Sequence, residues 1–286
     1  MTCVTEKAIG AKYFLTVVSL LTRIREKIGA RLSTIALEAR RQNAERILNR
    51  RMASFKKKDF FAEEDMSAHF ADQEVSDAGL QKVLMSFIIA RLNFIEKILT
   101  GDEIANDIFV DLGDSSGIFL KAFGKPGYSV NLSEEALQNI KAKGIAGIRA
   151  NVGSLPLKDN SVDHVLLFET LEHVPNPVAT LQEICRVCRK SLFISIPYVS
   201  QTNIREFNYD PSRPIHEHHI FEFNDTDFRK IVSHTSFKIN RAEVAEVLDD
   251  GRNLKELLLF AHWHLCFEKD LLYGCFKKFS LYHLTK

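Results

Sequence analysis

Ile108-Phe109-Val110-Asp111-Leu112-Gly113-Asp114-Ser115-Ser116-Gly117 decides the reading of this chain. A short apolar, β-prone run ends in an aspartate. A glycine-bounded turn follows, and then Ile118-Phe119-Leu120-Lys121-Ala122-Phe123 reads as a helix. Strand, glycine turn and helix form the unit with which α/β sheets build a nucleotide site. The glycines admit close backbone approach, and the helix start offers unpaired N–H groups. Glycines also make ordinary turns, so the weight of this stretch comes from what surrounds it.

Downstream, strand and helix patterns alternate. Strands are predicted at 107–112, 127–131, 145–150, Asp163–Phe168 and Ser191–Pro197, with helices over Ser133–Lys143 and Pro177–Arg189. Continuous apolar strands separated by helices imply a parallel sheet covered on both faces, joined by right-handed crossovers. Ser236–Asn240 and Phe279–Leu284 read as two further strands, an antiparallel pair at one edge. The expected fold is α/β: a Rossmann-like, mostly parallel seven-stranded sheet with helices on both faces, plus an N-terminal helical extension. In that extension, Leu21, Ile24, Ile28, Leu32 and Ile35 recur at helical spacing within 12–58, and Gly29 offers a bend. Residues 59–78 read as a connector. Leu80 to Leu99 carries a second, wide apolar helical stripe, with Ser76 or Asp77 to cap it and Gly101-Asp102 to end it.

Composition narrows the class. An apolar fraction of 45% over 286 residues suits a globular protein with a substantial core. No run approaches eighteen consecutive apolar residues, so no transmembrane helix is expected. Tyr13 to Leu21 is too short to span and lacks the flanks of a signal peptide. Five cysteines, an odd number, suit a reducing compartment, so a cytoplasmic protein is expected. The net charge of +1 hides an asymmetry: residues 12–58 hold thirteen Lys/Arg against three Asp/Glu. Such an arm suits an anionic partner, either a membrane surface met peripherally or a nucleic acid. It equally suits a solvated helix face, or an arm packed on its own acidic domain. The nucleic-acid case rests on charge alone, without an aromatic-interleaved platform, and is disfavoured.

In an open parallel sheet, ligands sit beyond the carboxyl ends of the strands. Those ends carry Asp111 with Gly113, Asp114, Ser115 and Gly117, then Asn131 and Leu132, then Asn151 and Val152, then Phe168 and Glu169. The glycine turn suits a ligand's polar tail, and Asn131 a ribose hydroxyl. Asn151 suits an adenine edge, with Leu132 and Val152 sandwiching the ring. Phe168 suits a cationic centre.

These positions, together with Val130-Asn131-Leu132-Ser133, the run Leu155 to Asp163, Leu171-Glu172-His173-Val174-Pro175-Asn176-Pro177 and Glu183-Ile184-Cys185-Arg186-Val187, resemble the class I S-adenosylmethionine-dependent methyltransferases. The resemblance is strongest to the subgroup acting on quinones and other small molecules, and it covers about 80–240 and the last strand. It says little about the first sixty residues, so the chain divides into the basic helical extension and connector over 1–78 and a methyltransferase-like domain over 79–286. A substrate-side insert is implied around 241–275, centred on Arg252–Leu271. It implies S-adenosyl-L-methionine as cofactor and methyl transfer, by expectation O-methylation, to a small-molecule or lipid-like acceptor. Ser115 stands where the family has the middle of three glycines, Asn131 where it has an acid, and Asn151 where aspartate is frequent.

Other readings share these residues. Gly113-Asp114-Ser115-Ser116-Gly117 satisfies the G-x-S-x-G elbow of serine hydrolases, with Ser115 as nucleophile, but the strands that normally precede it are missing. A non-catalytic scaffold with a weakened cofactor site would explain Ser115 and Asn131. Cys185-x-x-Cys188 lies in a predicted helix with no second cysteine pair, so both read as small hydrophobes. His216-Glu217-His218-His219, with Glu222, Asp225 and Asp227 near, reads as a polar or substrate loop before a metal site, and no metal is expected. His262, His264 and Cys266 read as part of an amphipathic core or lid helix. His173, His216, His218 and His219 are the candidates for a general base acting on a hydroxyl acceptor.

Overall fold

The computed structural model describes residues 3–64, 66–67, 70, 78–99, 104–199, 219–249, 252–266 and 278–286, with 1–26, 58, 62–63 and 262–266 carrying no described side chains. Seven strands form one sheet: β1 (Phe109–Leu112), β2 (Gly127–Asn131), β3 (Ala146–Arg149), β4 (Val162–Phe168), β5 (Cys188–Pro197), β6 (Lys238–Glu246) and β7 (Lys278–Thr285). Their spatial order is β3-β2-β1-β4-β5-β7-β6. The first five run parallel, and β7 is antiparallel to both β5 and β6. The topology reverses direction between β1 and β4, where a crevice opens at the carboxyl ends.

Eight helices accompany the sheet among the described residues: α1 (Cys3–Ser54), α2 (Lys58–Glu63), α3 (Ala78–Ile98), α4 (Ile118–Phe123), α5 (Glu134–Ala142), α6 (Pro177–Val187), α7 (Asp225–Ser233) and α8 (Leu254–Cys266). Caps explain several boundaries. Ser133 accepts from the Ala136 amide to start α5, Asn176 from Ala179 to start α6, and Asn224 from Asp227 to start α7. Pro177 occupies the first turn of α6, where a missing N–H costs nothing.

The strands bury both faces, and their side chains divide by the two-residue period. Phe109, Leu166, Phe168, Phe193, Phe279 and Leu281 point to one layer, shared with α1, α3 and α4. Val110, Leu112, Val165, Leu167, Ile194 and Leu284 point to the other, shared with α6 and α7.

Several elements differ from expectation. α6 ends at Val187, and Cys188 opens β5, so the two cysteines lie on different elements. Cys188 and Ser191 already pair with β4, which ends the helix early. Both cysteines are buried and free, and burial pushes the Cys188 thiol up to about 12, leaving it inert. β6 extends to Glu246, so the proposed insert from 241 is sheet at its start, and only α8 stands apart. As expected, β6 and β7 form an antiparallel pair at one edge of the sheet, with β7 against β5 and β6 outermost. α1 passes straight through Gly29, and α2 occupies part of the predicted connector. Ser76, Asp77, Gly101 and Asp102 lie outside the described residues.

α3 has the length and hydropathy of a membrane-crossing helix, with a mean hydropathy of 1.3 over its apolar window. Here it is a core helix wedged between α1 and the sheet, its Phe94 edge-on to Phe193 and its Phe87 against Phe279. The basic arm is partly spent on the body. Arg40 donates to the Asp249 carbonyl and stacks on Phe260 of α8, Arg46 pairs with Asp249, and Lys57 donates to the Ala122 and Phe123 carbonyls at the end of α4.

Candidate cofactor and acceptor site

The turn after β1 is shaped by two left-handed glycines and one aspartate. Gly113 has φ +83°, and a Cβ there would lie 2.4 Å from the Thr170 hydroxyl. Gly117 has φ +72° and begins α4. Asp114 turns inward: its carboxylate accepts from the amides of Ser116 and Gly117 at 2.8–2.9 Å and from the Ser129 hydroxyl at 2.6 Å. Two of the amides expected to hold a ligand are therefore taken by the turn itself. Ser115 is half-buried, and neither its amide nor its hydroxyl has a hydrogen-bond partner among the described residues. These are the donors the turn leaves over.

Asn131 at the end of β2 holds the turn from the other side. Its amide donates to the Asp114 carbonyl at 2.7 Å, and its oxygen accepts from the Ser133 amide at 2.8 Å. A carboxylate in the same place could not make the first of these bonds, which accounts for asparagine at a position where the family has an acid. Leu132 stands 60% exposed beside it. Asn151 closes an Asx-type turn, accepting from the Gly153 amide at 2.8 Å, and Val152 packs on the core from the same loop.

At the end of β4 the chain turns sharply, with Glu169 at φ +45°. Phe168 has its ring against Phe119, and the Arg91 guanidinium lies 5.4 Å from its centre. The aromatic face expected to meet a ligand's cation thus already meets a protein cation. Glu169 accepts from the Ser195 hydroxyl at 2.7 Å and pairs with Arg91 at 3.1 Å. Arg91 itself escaped the sequence reading; its only signal was one charge inside the apolar stripe of α3.

Around this arginine the strand ends are acidic. Asp111 is buried, and its Oδ2 has no hydrogen-bond partner. Burial, then the neighbouring Asp114, hold its carboxyl well above the usual range against the pull of Arg91. Glu172, on the short 3-10 turn Leu171–His173, is fully buried, and neither carboxyl oxygen has a hydrogen-bond partner. Burial, followed by repulsion from Glu169, holds it well above its ordinary value. His173 and His219 meet edge to face, ring centres 4.7 Å apart. His216 and His218 lie outside the described residues.

Ser115 has no histidine or acid partner among the described residues, so the hydrolase elbow gains no support. A serine–histidine–aspartate chain does exist elsewhere. His164 Nδ1 lies 2.7 Å from Ser191 Oγ, and its Nε2 lies 2.8 Å from Asp107, which also pairs with Lys190. All three side chains are buried at the amino ends of β1, β4 and β5, opposite the crevice. They tie the floor of the sheet. A separate cavity of about 630 Å³ opens between α1, α3, β6 and β7, lined by Arg50, Arg51, Lys97, Glu243, Glu246 and Lys278 among others, and includes no residue of the Gly113 turn.

Residues 110–194 match the sequence family described as a methyltransferase domain. An uncharacterized chloroplastic methyltransferase of Arabidopsis thaliana is 31% identical over 128 residues, covering 39% of this chain and 34% of the relative. An uncharacterized methyltransferase of Mycobacterium ulcerans (strain Agy99) is 33% identical over 96 residues, covering 31% of this chain and 38% of the relative. The chain thus spans about a third of the length of the curated relatives it matches. Among solved structures, magnesium protoporphyrin IX methyltransferase from Synechocystis PCC 6803, with bound SAH, aligns with a TM-score of 0.52 at 11% identity over 80% of this chain and 96% of that one. A SAM-dependent methyltransferase from Thermotoga maritima aligns at 0.51 and 18% identity over 77% and 97%. These two likenesses establish the fold.

Proposed function

We propose that the chain is a class I S-adenosylmethionine-dependent methyltransferase, a reading supported by the methyltransferase-domain match over 110–194, and that it methylates a hydroxyl oxygen of a small or lipid-like acceptor. The observation that carries the cofactor side is the buried, unpartnered Asp111 Oδ2 beside the open donors of Ser115. A cationic ammonium against Asp111 and a carboxylate against the Ser115 amide would satisfy both orphaned groups, so the residues present fit the amino-acid tail of this cofactor. Leu132, apolar and standing in solvent, suits one face of an adenine ring and Val152 the other, and Asn131 and Asn151 keep polar capacity for the ribose and the base edge. When bound, S-adenosylmethionine would supply a sulfonium-activated methyl to the acceptor oxygen, with the neutral thioether as leaving group and the acceptor's proton passing to solvent or to an imidazole of the crevice.

The chain's own part is alignment and exclusion of water. Thr170 bonds to the Phe168 and Leu112 carbonyls and abuts Gly113, so the turn after β4 is fixed to the turn after β1. His173 and His219 border the acceptor end of the same crevice and support an acceptor whose proton must be removed. Calorimetric titration with S-adenosylhomocysteine should show binding to a single site. No heat at millimolar ligand would overturn this reading in favour of a scaffold.

A peripheral membrane location accords with α1. Ile28, Leu32 and Ile35 are exposed on successive turns, with Lys27 and Arg31 exposed immediately before Ile28 and Leu32. That combination suits an anionic lipid surface. The protein should sediment with vesicles containing phosphatidylserine at low salt, and Ile28→Asp with Leu32→Asp should release it. Equal sedimentation of the double variant would remove the membrane from the proposal.

A further inference from the structure

We infer that Glu172, His173 and His219 bind a divalent transition-metal ion at the acceptor end of the crevice. The three residues offer one carboxylate oxygen and two imidazole nitrogens, all within 4.8 Å of one another. His173 Nε2 already lies 4.0 Å from Glu172 Oε1. Ligand atoms around a cation held at about 2.0–2.2 Å sit some 3–3.5 Å apart, so small side-chain rotations complete the set.

Glu172 is the independent sign of a missing ligand. Its side chain is fully buried, and both oxygens lack a hydrogen bond among the described residues. A buried carboxylate in that condition is costly unless something positive meets it. Arg91 acts on it only through space: its guanidinium pairs with Glu169 and donates to Ser195, and both Glu172 oxygens stay without a hydrogen bond. His219 is brought to the place by backbone bonds. The amides of Ile220 and Phe221 both donate to the Glu172 carbonyl, at 2.9 and 3.1 Å, which fixes the chain after the 201–218 stretch to the turn carrying the other two groups.

Two imidazoles and one carboxylate suit Zn²⁺, Mn²⁺ or Fe²⁺, and leave coordination positions open. The His173 side chain is 38% exposed, so those positions can reach solvent or an acceptor. A hydroxyl oxygen bound there would lose its proton more readily, as metal-bound water does. That use of the ion rests on the methyl-transfer reading above; the ion's binding does not.

Calorimetry of the full chain with Zn²⁺, and electron paramagnetic resonance with Mn²⁺, both without cofactor, test the site. One equivalent should bind. His219→Ala and the near-isosteric Glu172→Gln should each weaken binding by more than about tenfold, the low end of what even a supporting group beyond the ligands costs a metal site. Thermal unfolding verifies that both variants fold. No binding by the parent chain, or binding unchanged in both folded variants, overturns the site. S-adenosylhomocysteine titrated into the same samples separates the two readings: nucleoside bound without metal removes the ion alone, and metal bound without nucleoside removes the cofactor alone.

Discussion

Gly113→Ala should weaken S-adenosylhomocysteine binding by more than about tenfold and lower the stability of the whole domain. Two independent strains act at this position. The backbone sits at φ +83°, a region that disfavours side chains, and the new Cβ would lie 2.4 Å from Thr170 Oγ1 and 2.8 Å from its Cγ2. Thr170 cannot turn away without cost, because its hydroxyl donates to the Phe168 carbonyl at 2.9 Å. Strain and one lost bond together amount to about 2–4 kcal/mol. Relief by moving the turn would shift Asp111 and Ser115, so affinity should fall by more than about tenfold for even 1.4 kcal/mol of misfit. Thr170→Ala in the same background removes the clash and leaves the φ strain, so it should restore only part of the stability. Wild-type affinity in Gly113→Ala would mean that this turn does not hold the cofactor.

The second large effect is expected at Arg91. Its guanidinium is buried between Glu169 at 3.1 Å and Ser195 at 3.1 Å, and it lies 5.0–5.4 Å from the ring centres of Phe87, Phe168 and Phe279. Arg91→Met keeps most of the volume but leaves Glu169 without its cation, with Asp111 and Glu172 close by. Breaking one side of a buried pair costs about 3–5 kcal/mol. Adding Glu169→Gln should recover a good part of that loss, because the uncompensated charge disappears with it. Arg91→Lys should recover little, since a single ammonium cannot reproduce the planar fork or the ring contacts. Urea unfolding measures all three. A loss under about 0.5 kcal/mol for Arg91→Met, within the range of ordinary surface changes, would show that the pair is dispensable.

The sheet was legible because its parallel strands are continuous apolar runs bounded by turn residues. Gly127–Asn131 and the helix capped by Ser133 fall where the sequence puts them. Boundaries failed where a polar strand start looks like a helix end, as at Cys188-Arg189-Lys190. They also failed at β6, whose exposed, alternating residues after Asn240 carry little apolar signal. In the candidate site, the positions at the strand ends were readable, but their partners were not. Nothing in local pattern says that Asp114 would take the Ser116 and Gly117 amides, or that Arg91 would come from a distant helix to stack on Phe168. Such contacts are set by tertiary geometry, which single-sequence periodicity does not encode.

β7 follows β6 and α8 in the chain, yet among the described residues it alone joins β6 to the rest of the sheet. During synthesis, residues 238–246 therefore have no neighbour to ladder onto until 278–285 have emerged from the ribosome and threaded in beside β5. The nucleotide half can assemble earlier, from β1 to β5, while the trailing edge waits unpaired. That interval is when a chaperone, or a second nascent copy offering its own loose edge, would find something to hold.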